Sequence, residues 1–151
     1  MEVNYSENKI LIVDDSKVIL RMMEKYLSDQ GYTVVTADSA VKAARILQKN
    51  DFLLIITDIS MPNVSGLDLL LWIKNNKPES RVVVMTAFSS EEMKKLVSKT
   101  GAINYIEKNG DLDNINKVIL ESFSKGFTGN IKDISLFDFL NIIYLSKSSK
   151  T

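Results

Sequence analysis

Short apolar runs alternate with longer amphipathic stretches along most of the chain. Each run ends abruptly at polar residues, and this pattern is typical of strands buried on both faces. The predicted strands cover residues 9–13, 33–37, 52–57, 81–86 and 102–106. Between them apolar residues recur every three to four positions, which predicts amphipathic helices. The predicted helices cover residues 16–30, 40–49, 65–76, 90–99 and 111–125.

Strict alternation of five strands and five helices favours one fold class. Short connections between alternating elements predict parallel strands joined by right-handed crossovers. The pattern therefore predicts an α/β fold, a doubly wound parallel sheet with helices on both faces. In such sheets ligands bind at the carboxyl ends of the strands.

The polar residues that could bind a ligand or take part in a reaction lie at that edge of the predicted sheet. Asp14 and Asp15 follow the first strand, and Asp58 follows the third. Thr86 ends the fourth strand, and Lys108 follows the fifth. We expect these five side chains to lie close together.

Composition excludes several classes of function. Lysine plus arginine equals aspartate plus glutamate, at 19 each, so no overall charge draws the chain to nucleic acid or to an anionic membrane. No apolar run reaches the length of a membrane span. The chain has no cysteine and no histidine, so its chemistry depends on carboxylates, lysine, hydroxyls and backbone. We expect a cytoplasmic protein without direct nucleic-acid or membrane contact.

Three converging carboxylates need a positive counter-charge, and Mg²⁺ is the natural candidate because it prefers oxygen ligands. We expect Asp15 and Asp58 to bind the ion directly, Asp14 through water, and Ser60 through its carbonyl.

A carboxylate with such a partner can itself be the nucleophile in phosphoryl transfer. Asp58 is the candidate, because Lys108 can supply positive charge and Thr86 a hydroxyl donor. The amides of Ile59 and Ala87 are predicted to donate to the phosphate as well.

Each of these residues also has an ordinary structural interpretation. Asp15 with Ser16 could simply cap the first helix. Thr86 could be a plain strand residue and Lys108 a surface lysine. Their joint placement at four strand ends favours a site.

The motifs at this edge resemble those of the receiver domains of two-component response regulators, the CheY-like family, over residues 8–125. The matching segments are ILIVDDS at 10–16, ITDISMP at 56–62 with Gly66, VMTA at 84–87 and YIEK at 105–108. The resemblance implies a flavodoxin-like fold with strand order 2-1-3-4-5. It also implies a phosphorelay in which a separate sensor histidine kinase or phosphotransfer protein phosphorylates Asp58.

The same resemblance makes Thr86 and Tyr105 a switch pair. Their movement would reshape the face of helix four, strand five and helix five, and so control binding of a downstream protein. The chain would then be no enzyme beyond catalysing its own phosphorylation and dephosphorylation.

One departure from the family affects the lysine loop. The family usually has proline after this lysine, whereas the chain has Asn109 and Gly110. An alternative function is therefore a pseudo-receiver that docks partners without phosphorylation. An aspartate-nucleophile phosphatase is disfavoured, because Ser60 stands where such enzymes have a second aspartate. Ser60 and Phe88, neither of which can orient water as a carboxylate does, predict a long-lived aspartyl phosphate.

A second unit is predicted at residues 126–151. Ser135 and Asp138 resemble a capping box, and an apolar helical face follows. That face comprises Leu136, Phe139, Leu140 and Ile143. The segment resembles the opening of a PATAN domain, and a sixth helix packed on the receiver is the alternative. We expect the apolar face to be buried, with homodimerisation through this segment as the favoured route.

Overall fold

The computed structural model describes residues 9–61, 63–87, 90–108 and 112–124. Its strands are β1 (Lys9–Val13), β2 (Thr33–Ala37), β3 (Leu54–Asp58), β4 (Val82–Thr86) and β5 (Asn104–Glu107). Its helices are α1 (Lys17–Asp29), α2 (Ala40–Leu47), α3 (Gly66–Asn76), α4 (Glu91–Ser98) and α5 (Leu112–Ser124).

The five strands form one parallel sheet in the order β2-β1-β3-β4-β5. The α/β class and the strand order are therefore confirmed. In the register, Asp58 lies opposite Met85, and Thr86 lies opposite Glu107. The carboxyl ends of β3, β4 and β5 are thus brought to the same edge.

Helices cover both faces of the sheet because the central strands β1, β3 and β4 carry buried apolar residues on both sides. In β1, Ile10 and Ile12 pack in one core cluster with α1 and α5. Leu11 and Val13 pack in a second cluster with α2, α3 and α4. Alternating side chains of one strand therefore serve two separate cores.

Serine side chains begin four of the helices. Ser16, Ser39, Ser65 and Ser90 each accept a hydrogen bond from an amide in the first turn. Ser65 and Asp68 form a complete capping box at the start of α3. Each such cap stabilises its helix by about 1 kcal/mol.

Several boundaries and one helical position differ from the sequence prediction. β3 begins at Leu54 and includes Asp58 as its last residue. β5 begins at Asn104 because Gly101, with a φ of 89°, turns the chain after α4. Val18 fits the helical apolar spacing of residues 16–30 but is 74% exposed, because the buried face of α1 lies on Leu20, Met23 and Leu27.

Some predictions concern residues outside the described part of the chain. These are the whole segment 126–151 with its apolar face, the Asn109 and Gly110 turn, and Phe88. Among the described helices, none is both long and apolar enough to cross a membrane.

Candidate functional site

Two aspartates are fully buried at neighbouring strand ends. Asp14 follows β1, and its amide donates to the Ala37 carbonyl at 3.1 Å, so the β1–β2 ladder fixes its backbone. Asp58 is the last residue of β3. Both residues are 0% exposed. Burying two carboxylates side by side is unfavourable unless positive charge balances them.

The carboxylates of Asp14, Asp15 and Asp58 form one cluster. One oxygen from each lies within 4.8 Å of the others, and the Asp15 side chain is exposed. Three hard oxygen donors grouped in this way fit the ligand preference of Mg²⁺.

Lys108 supplies the positive charge at this cluster. Its Nζ lies 2.6 Å from Asp14 Oδ2 and 3.1 Å from Asp58 Oδ2, and its side chain is 10% exposed. Its amide donates to the Thr86 carbonyl at 2.7 Å, which fixes the backbone beside the end of β4. Lys108 is therefore positioned at the two buried aspartates by contacts of both its backbone amide and its side-chain amine.

The electrostatics of this group follow from its burial. Desolvation raises the pKa of Asp14, and the charge of Asp58 adds to this effect, although the hydrogen bond from Lys108 opposes it. Burial alone would lower the pKa of Lys108, but the hydrogen bond to Asp14 and the charges of both aspartates outweigh burial and raise it. The lysine is therefore cationic, and its charge is shared between two carboxylates.

The amides beside Asp58 differ from the sequence prediction. The Ile59 amide, predicted as a phosphate donor, donates instead to the Met85 carbonyl at 3.0 Å. The Ser60 amide donates to Asp58 Oδ1 at 3.3 Å. The donor that faces the carboxylate of Asp58 is thus one residue further along the chain than predicted.

Gly66 lets α3 begin directly against the end of β3. Its amide donates to the Ile59 carbonyl at 2.8 Å. A Cβ added at Gly66 would lie 1.8 Å from the carbonyl oxygen of Asp58. The sequence motif alone gives no reason for a glycine at position 66, and the close approach of the two backbones supplies one.

The remaining predicted residues lie around the same edge or next to it. Thr86 is 2% exposed at the end of β4, one residue beyond the register partner of Asp58, and Ala87 follows on the surface. Tyr105 lies in β5, half-buried against the core. It also lines a groove of about 440 Å³ between α4, β5 and α5, together with Val97 and Val118.

Comparison with known proteins identifies relatives over most of the chain. The family model described as "Response regulator receiver domain" matches residues 10–120. The alginate biosynthesis transcriptional regulatory protein AlgB of Pseudomonas aeruginosa is 37% identical over 102 residues, which are 68% of this chain and 23% of AlgB. The transcriptional regulatory protein ZraR of Escherichia coli is 35% identical over 106 residues, 70% of this chain and 24% of ZraR. The chain thus spans about a quarter of the length of these relatives.

Solved structures with similar folds share its overall geometry. A response regulator receiver domain protein from Clostridium thermocellum is 31% identical, with a TM-score of 0.70 over 77% of this chain and 94% of that one. The response regulator TrrA of Thermotoga maritima, solved in complex with Mg²⁺-BeF, is 26% identical, with a TM-score of 0.69 over 76% of this chain and 98% of its own. Both similarities cover nearly the whole of the other molecule.

Proposed function

The chain belongs to the response regulator receiver domain family of two-component signalling, and we propose that it receives a phosphoryl group on Asp58 in a Mg²⁺-dependent reaction. The observation that carries this proposal is the grouping of three carboxylates within 4.8 Å, with Lys108 ion-paired to two of them. That grouping provides a nucleophile, a cation site and a counter-charge together.

In the proposed reaction, a carboxylate oxygen of Asp58 forms a new bond to phosphorus. The bond between phosphorus and the donor's nitrogen breaks, and that nitrogen keeps the electron pair. The donor is a phosphohistidine on a separate sensor histidine kinase or phosphotransfer protein. Lys108, already 3.1 Å from Asp58, places its charge against the phosphoryl oxygens. Thr86 and the amides of Ser60 and Ala87 provide hydrogen-bond donors at the same edge.

Asp14, Asp15 and Asp58 would hold Mg²⁺, with the carbonyl of Ser60 as a further ligand. When bound, the ion would supply positive charge that offsets the developing charge on the phosphoryl oxygens. Support comes from the grouping of the three carboxylates, whose oxygens are the ligands that Mg²⁺ prefers, and from the Mg²⁺-BeF complex of the similar TrrA.

The proposed output is a change at the groove between α4, β5 and α5. Thr86 would move toward the phosphoryl group, and Tyr105 would turn inward into the space that this movement frees. Because Tyr105 lines the groove, its rotation would change the surface offered to a downstream protein. Phosphorylation thereby biases a two-state equilibrium.

The wider setting is also a proposal. We assign residues 8–125 to the receiver and residues 126–151 to the start of a second, PATAN-like domain. A cytoplasmic location is proposed because the relatives AlgB and ZraR are named as transcriptional regulatory proteins. Any catalysis by the chain would be limited to its own phosphorylation and dephosphorylation.

The direct test is to incubate the protein with Mg²⁺ and a small phosphodonor such as acetyl phosphate, and to measure its intact mass. We expect a gain of one phosphoryl group that requires Mg²⁺ and disappears in Asp58→Asn. The matched control is Asp29→Asn, which removes an exposed carboxylate at the end of α1 and should label normally.

Labelling of Asp58→Asn at the normal rate would contradict the assignment of the acceptor. No labelling of the wild-type protein would favour the pseudo-receiver, in which the fold docks partners without phosphorylation. The ion pairs of Lys108 argue against that alternative, because they hold the lysine where the reaction needs it.

A further inference from the structure

A groove of about 570 Å³ runs along β2, the strand at one edge of the sheet. Its apolar lining comes from Leu20 of α1, Ala37 of β2 and Ile46 of α2. Because α1 and α2 cover opposite faces of the sheet, the groove wraps around the sheet edge. It shares no residue with the carboxylate cluster at Asp58.

Four exposed cationic side chains line this groove, two from each helix. Lys17 and Arg21 belong to α1, and Lys42 and Arg45 belong to α2. The groove therefore presents a pair of positive charges on each face of the sheet edge.

The groove also contains two acidic side chains, which neutralise only part of this charge. Asp38 forms an ion pair with Lys42 at 2.8 Å, and the hydrogen bond from Lys42 lowers the pKa of Asp38. Glu24 is exposed. Within the described residues, Arg21 and Arg45 form no ion pair. The groove thus keeps a positive balance and two available guanidinium groups.

The backbone of β2 is open along the same groove. The Ala37 carbonyl accepts from Asp14, so Ala37 faces β1. Because neighbouring residues of a strand direct their N–H and C=O groups to opposite sides, Thr36 faces away from β1. Thr36 lines the groove. An extended chain lying there could pair with the edge of β2 through its backbone.

We propose that this groove binds an extended, acidic segment of a partner protein, which lies beside β2. Its consecutive carboxylates alternate between the cation pair of α1 and the cation pair of α2. Successive side chains of an extended segment point to opposite faces, and those on one face recur every ~6.6 Å. Cationic residues three or four positions apart on a helix are ~5–6 Å apart. The spacing of Lys17 with Arg21, and of Lys42 with Arg45, matches that of acidic residues on one face of a strand.

The details of the groove favour a peptide over nucleic acid. Glu24 and Asp38 would repel a phosphate backbone, whereas a peptide can place neutral residues beside them. The apolar lining of the groove suits peptide side chains in the same way. Since no residue of the Asp58 site takes part, this inference does not depend on the proposed phosphorylation and can be tested separately from it.

The test uses two acetylated and amidated octapeptides with the same composition. One has four consecutive glutamates followed by four serines, and the other alternates glutamate with serine. Only the consecutive peptide can reach the cations on both faces, which adds two exposed ion pairs. We expect it to bind about fivefold more tightly, with amide shifts in ¹⁵N NMR spectra centred on Thr36 and Ala37.

The variant Arg21→Glu/Arg45→Glu should abolish this preference. Lys25→Glu/Lys49→Glu makes the same charge change at exposed positions outside the groove and should preserve it. The proposal is overturned in favour of non-specific attraction if the wild-type protein binds the two peptides with equal affinity. It is overturned in the same way if both double variants lose affinity for the consecutive peptide equally. The proposal is overturned in favour of a small-anion site if inorganic phosphate shifts the same amide signals as strongly and displaces the peptide. Asp58→Asn should bind the peptide like the wild-type protein.

Discussion

The contact between Gly66 and the end of β3 allows a sharp test of how α3 controls the phosphorylation site. In Gly66→Ala, the new Cβ would meet the Asp58 carbonyl oxygen at 1.8 Å. Reaching even a tight contact of 3.0 Å requires a separation of about 1.2 Å between the two backbones. Either α3 or the backbone of Asp58 itself must therefore move.

The effects on stability and on chemistry should differ in size. Overpacking costs about 1–3 kcal/mol, and up to about 1 kcal/mol is returned because alanine is a better helix former than glycine. We expect a net loss of about 1–2 kcal/mol in the free energy of unfolding. Displacing a reacting group by about 1 Å can lower a rate about 100-fold, so labelling of Asp58 should slow by about 10- to 100-fold.

Urea unfolding followed by the fluorescence of Trp72, the single tryptophan, measures the stability. Intact mass over time with acetyl phosphate and Mg²⁺ measures the labelling rate. The matched control is Gly31→Ala, where φ is 98° but no atom lies within 4 Å of the added Cβ. It should lose about 1–2 kcal/mol from backbone strain and label at the wild-type rate. The reasoning fails if Gly66→Ala labels normally, or if Gly31→Ala slows labelling equally.

Three further predictions address other parts of the chain. Burial lowers the pKa of Lys74 from 10.5 to about 8, so between these values the unfolded chain binds more protons and stability rises with pH. Lys74→Met should therefore be more stable than wild type below pH 8, with the difference vanishing toward pH 10.5 in urea unfolding at each pH. Phe88→Glu or Phe88→Ala should hydrolyse the aspartyl phosphate faster, measured as loss of the phosphoryl mass after the donor is removed; unchanged rates in both would contradict the expected long lifetime. Shortening the chain after Lys125 should abolish self-association, measured as solution mass across concentration. If the full-length and shortened chains are both monomers of equal stability, segment 126–151 has no docking role.

The sequence predicted the layout of the fold because the three central strands, β1, β3 and β4, are nearly continuous apolar runs that end at or beside a polar residue. Asp14, Asp58 and Thr86 could be placed at one edge from strand ends alone. The direction in which individual amides point could not be predicted, because it depends on which residue is the last of its strand. β3 extends to Asp58 rather than ending at Thr57, so the Ile59 amide still bonds to β4, and the donor that faces the carboxylate is Ser60.

The helical phase of α1 shows a second limit of the sequence pattern. Val18 and Leu20 are both apolar, and both stand near the start of the same helix. Only the rotation of the helix against β1 decides that Leu20 is buried and that Val18 is 74% exposed. A rotation of this kind is fixed by packing against the sheet, which the apolar pattern of one helix does not contain.

The position of Lys108 connects the unusual loop to the choice between the two functions. The loop departs from the family at Asn109, immediately after the lysine. The backbone of Lys108 itself is still tied to β4, because its amide donates to the Thr86 carbonyl at 2.7 Å. The departure therefore begins one residue after this backbone contact. The two ion pairs of Lys108 are present in a chain that has asparagine at position 109, which is why the substitution does not by itself favour a pseudo-receiver.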